Sequence, residues 1–372
     1  MDLEFSEEQE MLRDMVRGLC REYAPIEVVR AMEDDPDGTP EELWKQLSEL
    51  GLLGLLIPEA YGGAEQGMLE AAIVYEELGR ALAPSPHFPS CVVAARALLE
   101  AGSEEQKRAW LPKIGSGAAI LTPAWLEPDR GFGPDGVALR AVGDDGGFRL
   151  SGRKRHVLFA STATRLLVLA RHGDSIDFFL VDPNAPGVTL KQQRSLASDT
   201  QYDVVFDGVH VAATDHLPAG WEAWSRVMHD GIILLAAWAL GGAERAVEMT
   251  VEYAKERKQF DKPLGAFQAI SHYLADATTN VDGGKALVYE AAWARSEGRD
   301  VARLAPMAKL FACQTYRDVT AMCQQVWGGV GFTLEYDIQL YFRRAKQLQI
   351  TWWDPAYLEE RIASDVLDRE AS

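Results

Sequence analysis

Basic residues and long apolar runs are what this sequence has least of. Lys and Arg number 37 against 56 Asp and Glu, so the formal net charge is -19. Nucleic-acid binding needs a basic face and adsorption to anionic membranes needs basic clusters, so this balance argues against both. The longest apolar run, Ile232 to Leu240, is far shorter than the ~20 residues that span a bilayer. We therefore expect no membrane span and no nucleic-acid partner, and an anionic ligand would need a local basic patch.

Cysteine is also scarce, and the N-terminus lacks the features of a targeting segment. The four cysteines show no Cys-x-x-Cys spacing, which indicates neither a disulfide framework nor a zinc site. The residues from Met1 to Glu8 are acidic and have no basic start followed by an apolar stretch, so we expect no signal peptide. These features indicate a cytosolic protein, and no metal site is predicted.

Hydrophobic periodicity divides the chain into three parts. Residues 1–115 have helical spacing, residues 116–220 change to period two with frequent turn residues, and residues 221–372 are helical again. The long C-terminal segments lie near 229–258, 264–297, 300–327 and 335–349. Four long helices with short connections indicate a bundle. The predicted fold class is multidomain α+β, with an N-terminal α-helical domain, a middle β-domain and a C-terminal four-helix bundle.

Capping and turn residues predict several local boundaries. Ser6 opens the first helix, and Ser103 with Gln106 caps a helix that is expected to stop before Pro112. The apolar segment from Gly51 to Gly63 contains a proline and paired glycines, so it is a connector and not one long helix. The glycine-rich segment 143–147 between the apolar stretches Val137–Val142 and Phe148–Leu150 predicts a hairpin.

The stretch from Tyr253 to Asp276 contains a cation and an aromatic ring that suit a phosphorylated, ring-bearing ligand. Arg257 and Phe260 lie three residues apart, so on a helix they share one face, and Pro263 is expected to end that helix. A guanidinium pairs bidentately with phosphate, and aromatic edges pack on flat rings. The alternative interpretation is an exposed basic helix end with a Phe in the core.

Seven strings in a fixed order extend over nearly the whole chain. They are Phe5–Gln9, Leu50–Leu53 with Ile57–Gly63, Glu76–Arg80, Gly152–Lys154, Phe206–Val211, Tyr253–Asp276, and Gln325–Phe332 with Glu335-Tyr336 and Arg343–Lys346. Together they resemble the flavin-dependent acyl-CoA dehydrogenase family. The resemblance implies the fold predicted above, FAD as the cofactor and a C-terminal bundle that forms a tetramer.

In that family FAD lies across a subunit boundary, and the neighbouring subunit's bundle supplies the adenosine and pyrophosphate half of the site. The positions of this chain that match this half are Arg257, Gln259, Phe260, Gln268, Gln325, Gly328 and Gly329. Glycine is suitable there because a side chain would hold the backbone away from a diphosphate. The alternative for the glycines is an ordinary turn between helices.

The half that holds the flavin ring and the substrate does not match. The family has Thr-Glu-Pro followed by Gly-Ser-Asp, and this chain has a different sequence from Leu121 to Asp135. Where the family has a Trp-Ile-Thr that covers the flavin ring, this chain has His156-Val157-Leu158. We expect His156 to be a polar surface or packing residue, since no carboxylate is adjacent to it in the sequence.

No catalytic residue is predicted, because the family's two positions for the catalytic Glu hold other residues. Family chemistry removes the α-proton of an acyl thioester with a carboxylate while hydride leaves the β-carbon for the flavin. The usual Glu position corresponds to Trp352 and the alternative position to Gly231. Asp230 and Asp354 lie close by and stay open as replacements, although an offset of one residue on a helix rotates a side chain by ~100°.

The resemblance therefore predicts the non-catalytic subunit of a heteromeric acyl-CoA dehydrogenase. Such a chain is similar to subunits of the α2β2 enzymes of actinobacterial steroid catabolism, which carry half the usual number of flavins and oxidise the CoA thioester of a sterol side chain. A homologous catalytic chain would bind the acyl-CoA, and electron-transfer flavoprotein would accept the electrons. Two alternatives are a homotetrameric flavoenzyme with different chemistry, monooxygenase or nitroalkane-oxidase-like, and a structural subunit without cofactor contacts.

Overall fold

The computed structural model describes residues 5–368, in which helices precede and follow a group of β-strands. The α-helices are α1 (Glu7–Tyr23), α2 (Ile26–Ala31), α3 (Glu41–Glu49), α4 (Met68–Arg80), α5 (Ala95–Ala101), α6 (Glu104–Gly115), α7 (Trp221–Glu256), α8 (Gln268–Ser296), α9 (Leu304–Trp327), α10 (Ile338–Ile350) and α11 (Pro355–Leu367). The strands are β1 (Leu121–Ala124), β2 (Arg140–Asp144), β3 (Gly147–Leu158), β4 (Arg165–His172), β5 (Ser175–Val181), β6 (Val188–Gln193), β7 (Gln201–Ala212), β8 (His216–Leu217), β9 (Lys258–Gln259) and β10 (Lys262–Pro263). This order confirms the predicted fold class.

The described residues form two compact units. The first contains the residues up to Val29, the segment Gly67–Ala83 and the residues from Ile232 onward. The second contains Arg30–Gln66 and Pro84–Gly231. The domain boundaries after residues 115 and 220 stay predictions. Within residues 5–368, no helix combines the length and the apolar composition that a membrane crossing requires.

The predicted helix starts are confirmed, and one predicted helix end is wrong. Ser6 and Ser103 each form a capping box with the glutamine three residues later. However, α6 runs through Pro112 to Gly115 instead of stopping before the proline. A proline this late in a helix removes only one amide hydrogen bond, and the neighbouring Leu111 and Ile114 are fully buried. Core packing therefore outweighs the local preference.

The connector and the hairpin also agree with the sequence. The segment from Gly51 to Gly63 contains two short 3₁₀ turns, at Leu52–Gly54 and Glu59–Tyr61, and no longer helix. Strands β2 and β3 pair antiparallel, with Asp144 opposite Gly147, so the turn lies inside the glycine-rich segment. Both features follow from residues that tolerate positive φ or cannot continue a helix.

Eight strands of the second unit form one sheet, in the order β6-β7-β3-β2-β4-β5-β8, with β1 paired in parallel to β4. Strand β3 extends to Leu158, well beyond the predicted hairpin arm, because it pairs with β7 along almost its whole length. The inward-facing residues of both strands, such as Leu150, Val157, Val204 and Phe206, are buried in the core of this unit. The alternating burial from Tyr202 to Phe206 of β7 fixes which face of the sheet each side chain there occupies.

The central helix of the first unit, α4, buries carboxylates as well as apolar side chains. Glu77 is 1% exposed and accepts two hydrogen bonds from the Arg17 guanidinium, at 2.9 and 2.6 Å. Glu76 is 4% exposed and contacts Lys285 Nζ at 2.8 Å and the Tyr289 hydroxyl. The hydrogen bonds that Arg17 donates to Glu77 raise the pKa of Arg17 above its ordinary value. Both buried acids therefore form polar contacts with side chains of neighbouring helices.

Arg80, at the end of the same Glu76–Arg80 string, completes this charge network. Its guanidinium contacts Glu244 at 3.1 Å and also Glu248, both on α7. Its backbone carbonyl accepts a hydrogen bond from the Tyr341 hydroxyl on α10 at 2.9 Å. The string therefore joins α4 to α1, α7, α8 and α10 by polar contacts.

Helices α4 and α7 approach each other backbone to backbone. A Cβ atom added to Gly79 would lie 2.0 Å from the carbonyl oxygen of Trp238. A Cβ atom added to Gly241 would lie 1.9 Å from the carbonyl oxygen of Glu76. Neither position has room for any side chain, so this crossing depends on glycine at both contacts.

We predict that Gly241→Ala lowers the free energy of unfolding by about 3 kcal/mol, because the added methyl group forces two packed helix backbones apart. The matched control is Gly18→Ala, an exposed position in α1 with nothing within 4 Å of an added Cβ. There the free energy of unfolding should rise by up to about 1 kcal/mol, since alanine favours helix. Urea unfolding followed by circular dichroism measures both, and similar small effects at the two positions would contradict the crossing.

Candidate functional site

The stretch after α7 forms a two-stranded hairpin and not the predicted helix end. Strands β9 and β10 pair antiparallel, with Gln259 opposite Lys262, and the turn residues Phe260 and Asp261 have φ of 53° and 62°. Positive φ at both central residues is typical of a type I′ hairpin turn. A helix cannot continue here, because Pro263 lacks an amide hydrogen and would clash with the carbonyl four residues earlier. The prediction that Arg257 and Phe260 share one helical face is therefore wrong.

Phe260 stands at the tip of this hairpin and is 86% exposed. Its ring makes one edge contact with Phe267, at 6.3 Å between centroids. The alternative interpretation of a Phe in the core is also wrong. A left-handed conformation costs a residue with a Cβ about 1–2 kcal/mol, and this aromatic ring gains little burial within its own chain in return. Such a violation of local rules indicates a function outside the chain.

The hairpin carries a concentration of positive charge. Arg257 is exposed, and its guanidinium forms no ion pair or hydrogen bond with the part of the chain that the structure describes. Lys258 and Lys262 lie on the two paired strands, and Asp261 is the one carboxylate among the residues from 257 to 263. In a chain with a net charge of -19, this is the local basic patch that an anionic ligand requires.

Two aromatic rings hold the hairpin beside the glycine turn that follows α9. Tyr253, in the last turn of α7, stacks on Trp327, the last residue of α9, with centroids 4.2 Å apart and planes 10° apart. The Tyr253 hydroxyl donates to the Trp327 carbonyl at 3.4 Å, and Trp327 Nε1 donates to Thr250 Oγ1 at 3.1 Å. Because Tyr253 lies one helical turn before Arg257 and Trp327 directly precedes Gly328, the two matched segments emerge from one fixed junction.

The glycine turn is open toward the outside of the chain. Gly328 has φ of 68° and ψ of -144°, a conformation that essentially requires glycine. A Cβ atom added to Gly328 or Gly329 would meet nothing within 4 Å, whereas one at Gly331 would lie 3.0 Å from Trp327 Cβ. Gly331 is therefore needed for packing inside the chain, while Gly328 and Gly329 leave free space in which a diphosphate could approach the backbone.

The remaining matched residues are exposed, two at helix ends and one on the hairpin. Gln325 is exposed in the last turn of α9, Gln259 is exposed on β9, and Gln268 is the exposed first residue of α8. The N-cap residue of α8, Phe267, supplies no side-chain hydrogen bond to the first turn, although its carbonyl accepts the Ile270 amide at 2.9 Å. A helix N-terminus of this kind favours an anion.

The first family position for the catalytic Glu is buried. Trp352 is 8% exposed and Trp353 is 1% exposed, and both have positive φ, of 52° and 71°. Below them Lys309, which is fully buried, donates from Nζ to the carbonyl oxygens of Leu348 and Thr351, at 2.9 and 3.2 Å. This lysine binds the C-terminal carbonyls of α10 and so fixes the tryptophan pair in its unusual conformation.

Gly231, the second family position for the catalytic Glu, packs near the Phe88 ring. The acids Asp230 and Asp354 both have structural partners. A Cβ atom added to Gly231 would lie 3.4 Å from the Phe88 ring. Asp230 is 3% exposed and forms an ion pair with Arg96 Nε at 3.0 Å. Asp354 caps α11 by accepting a hydrogen bond from the Tyr357 amide at 2.9 Å. Each carboxylate is therefore already engaged in a structural contact, an ion pair for Asp230 and a helix cap for Asp354.

His156, at the place of the flavin-covering residues, is exposed as expected. It lies where β3 shifts register between Lys154 and Val157, and its own φ is 55°. Its Nδ1 contacts Gln201 Oε1, and its Nε2 accepts a hydrogen bond from Arg155 Nε at 2.8 Å. The ring is therefore held by polar neighbours at the surface of the second unit, and no carboxylate within residues 5–368 contacts it.

The Gly152–Lys154 string has a structural role in the second unit. Lys154 is fully buried and donates from Nζ to Glu127 Oε1 at 2.7 Å and to the Trp125 carbonyl at 3.2 Å. Glu127 Oε1 also accepts the amides of Ala138 and Leu139, at 3.0 and 2.9 Å. Burial lowers the pKa of Lys154 to about 8, against the attraction of Glu127. The Lys154–Glu127 pair connects β3 to the segment from Leu121 to Asp135, which departs from the family pattern.

Sequence reasoning missed the Tyr253 and Trp327 stack. The signal was present, because Tyr253 precedes Arg257 by one helical turn and Trp327 directly precedes Gly328. It could be recognised only once the ends of α7 and α9 were known to meet.

Three family models match the chain in sequence order. They describe the acyl-CoA dehydrogenase N-terminal domain over residues 6–118, the middle domain over residues 123–209 and the C-terminal domain over residues 219–352. Acyl-CoA dehydrogenase FadE27 of Mycobacterium tuberculosis is 31% identical over 358 residues, which cover 94% of each chain.

Two similar solved structures cover the chain almost completely. One is a variant of the Tcur3481–Tcur3483 steroid ACAD, 34% identical, with a TM-score of 0.89 and coverage of 98% of this chain and 99% of that chain. The other is the ChsE4-ChsE5 complex from Mycobacterium tuberculosis, 29% identical, with a TM-score of 0.92 and coverage of 100% of each chain. The predicted resemblance is therefore confirmed at the level of sequence, fold and domain order.

Two substitutions at the hairpin tip test whether Phe260 is kept for a role outside the chain. Phe260→Asn should leave the free energy of unfolding unchanged or raise it by up to about 1 kcal/mol, because Asn tolerates positive φ. Phe260→Val should lower it by about 1 kcal/mol, because β-branched residues disfavour this conformation. Both are measured by urea unfolding of the chain purified alone, and a clear loss of stability in the Asn variant would mean that the ring packs within the chain.

Proposed function

Because the chain belongs to the acyl-CoA dehydrogenase family, whose members are FAD-dependent, we propose that it is the non-catalytic subunit of a heteromeric acyl-CoA dehydrogenase. In this role it lends the adenosine and pyrophosphate half of the FAD site to a homologous catalytic chain. The catalytic chain supplies the carboxylate base, the surface that covers the flavin ring and most of the acyl-CoA pocket. The chain by itself is inactive.

The observation that carries this proposal is the outward-facing hairpin beside an open glycine turn. Arg257 and Phe260 are exposed, the guanidinium has no partner within residues 5–368, and Gly328 and Gly329 leave free space beside them. A guanidinium suits a pyrophosphate, and an exposed ring suits a flat heterocycle. In this proposal, these groups contact a ligand that is bound mainly by another molecule.

The state of the two base positions supports the same assignment. Trp352 is buried in a segment fixed by Lys309, and Gly231 packs against Phe88. Asp230 and Asp354 serve an ion pair and a helix cap. A misplaced or already paired acid gives little general-base catalysis, because proton abstraction needs both reach and basicity. The side chains that this chain contributes to the reaction therefore bind and orient the cofactor and do not move a proton.

FAD, when bound, accepts the hydride that leaves the β-carbon of the acyl thioester. In this proposal Arg257 neutralises pyrophosphate charge, Gly328 and Gly329 allow close approach of backbone amides, and Phe260 packs against a flat part of the cofactor. Gln259, Gln268 and Gln325 supply further hydrogen-bonding groups on the same exposed surface. Electron-transfer flavoprotein is the proposed electron acceptor.

The narrower proposal for the substrate is a CoA thioester of a steroid side chain. It is supported by the likeness to a structure described as a steroid ACAD and by the likeness to a two-component complex. An α2β2 assembly is proposed on the same basis. All four cysteines are buried free thiols, which is consistent with the predicted cytosolic location.

We predict that Arg257→Ala in the reconstituted complex weakens FAD binding about tenfold to a hundredfold. A hydrogen bond to a charged group contributes about 1.5–3 kcal/mol, and this variant leaves pyrophosphate charge unpaired. Arg257→Lys should give an intermediate loss, because an ammonium keeps the charge without the bidentate geometry. FAD retention is measured by absorbance after dialysis, together with the dissociation constant by fluorescence.

The matched control is Lys255→Ala, which removes an exposed cation from the last turn of α7 without changing the hairpin. It should change FAD affinity less than threefold, an effect expected for a surface charge. Unchanged FAD retention in Arg257→Ala would favour a structural subunit without cofactor contacts. Equal losses in the two variants would indicate a general electrostatic effect and not a specific contact.

A further inference from the structure

Two histidines and an aspartate meet on one face of the sheet in the second unit. Asp177 lies on β5, which pairs with β4 on one side and with β8 on the other. On β4, the residue opposite Asp177 is Ala170, and His172 lies two residues further along that strand. On β8, His216 is opposite Phe179, which lies two residues after Asp177 on β5. Since side chains alternate with a period of two, both imidazoles fall diagonally beside the same carboxylate.

The ligand atoms of this group converge. His216 Nε2 lies 2.8 Å and His172 Nδ1 lies 3.3 Å from the same oxygen, Asp177 Oδ2. The three ligand atoms all lie within 4.8 Å of one another. Two ligands at Zn²⁺ bond lengths of about 2.1 Å in tetrahedral geometry are roughly 3.4 Å apart. Small rotations of the imidazole rings are therefore enough to bring all three atoms to a common ion.

The carboxylate is held in place by a second set of contacts. Asp177 is 3% exposed, and its other oxygen, Oδ1, accepts hydrogen bonds from Ser175 Oγ at 2.7 Å and from the Ala219 amide at 3.1 Å. Burial alone would raise the pKa of Asp177, but the hydrogen bonds from Ser175, His216, Ala219 and His172 together lower it. The Asp177 carboxylate therefore has one oxygen fixed by Ser175 and Ala219 and the other facing two imidazoles. Outer hydrogen bonds of this kind orient the ligands of protein metal sites.

Aromatic packing fixes the orientation of the two rings. Phe179 stacks on His216, with centroids 4.8 Å apart and planes 16° apart. Phe148 contacts both imidazoles, at 5.1 Å from His172 and 4.8 Å from His216. His172 is the more exposed of the two histidines, so solvent reaches the cluster from its side. Three protein ligands with one side open to water are typical of zinc sites that keep a fourth position for solvent.

We propose that His172, Asp177 and His216 form a binding site for one divalent transition-metal ion, with Zn²⁺ as the preferred occupant. Imidazole and carboxylate ligands suit zinc and its neighbours in the first transition row, whereas Mg²⁺ prefers an all-oxygen octahedral site. The ion would cross-link β4, β5 and β8 next to Ala219, two residues before the start of α7. The site is independent of the proposed FAD half-site.

Isothermal titration of ZnCl₂ into the tag-free, chelator-treated full-length chain tests this site. The wild-type chain should bind one Zn²⁺, and an equal concentration of MgCl₂ should give no comparable heat. His172→Ala and His216→Ala should each weaken Zn²⁺ binding by more than about tenfold, the lower limit expected for loss of a supporting contact. Ser175→Ala, which removes one support of Asp177, should weaken it by about tenfold. His210→Ala, an exposed histidine on β7 of the same sheet, is the matched control and should leave binding unchanged.

Two further measurements keep the test informative if a variant is destabilised. Circular dichroism shows whether each variant keeps its fold, and His172→Ala is the safest of them because this side chain is partly exposed. Co²⁺ bound to the wild-type chain should give the visible absorption of a tetrahedral ion, which His172→Ala should abolish. Zinc binding that is equal in the wild-type chain and in folded His172→Ala overturns the proposal. Absence of Zn²⁺ binding by the wild-type chain also overturns it and leaves the three residues as a hydrogen-bonded cluster.

Discussion

The backbone contact between α4 and α7 is the constraint on which the helical unit depends. Gly79 and Gly241 allow two helix backbones to touch, and the neighbouring Glu76 and Arg80 then reach α7 and α8 with charged groups. Because α7 is a single helix as far as Glu256, this crossing also fixes where its last turn lies. Tyr253 in that turn stacks on Trp327 and so determines where the hairpin and the glycine turn begin.

The surface built in this way has groups that the chain itself does not use. Phe260 is exposed in a costly backbone conformation, Arg257 has no partner within residues 5–368, and Gly328 and Gly329 border open space. The positions expected for a catalytic base, in contrast, offer no free group. Tryptophans are buried there, and the neighbouring acids form an ion pair and a helix cap. This chain therefore has free binding groups on one surface and no free acid at the base positions. A subunit that only contributes to another chain's cofactor site would need this combination.

Much of the fold could be predicted because hydrophobic period and capping residues act locally. The three-part order, the capped starts at Ser6 and Ser103 and the β2–β3 hairpin followed from such signals. The errors arose where distant contacts decide. Core burial of Leu111 and Ile114 carries α6 through Pro112, and pairing with β7 extends β3 to Leu158. The hairpin at Phe260 and Asp261 lacks the Asn or Gly that usually marks a type I′ turn, so only Pro263 indicated that the helix must stop earlier.

The identity of the candidate site residues came from the resemblance, whereas their exposure could not be predicted from the sequence, because it depends on how the ends of α7 and α9 meet.

The most direct test of the central claim is the flavin content of the purified chain, alone and with a catalytic partner, measured by absorbance after gel filtration. The account predicts no tightly bound FAD in the chain alone and half of a full complement in the two-chain complex. A full complement of tightly bound FAD in the chain by itself, reduced by a substrate of its own, would contradict it.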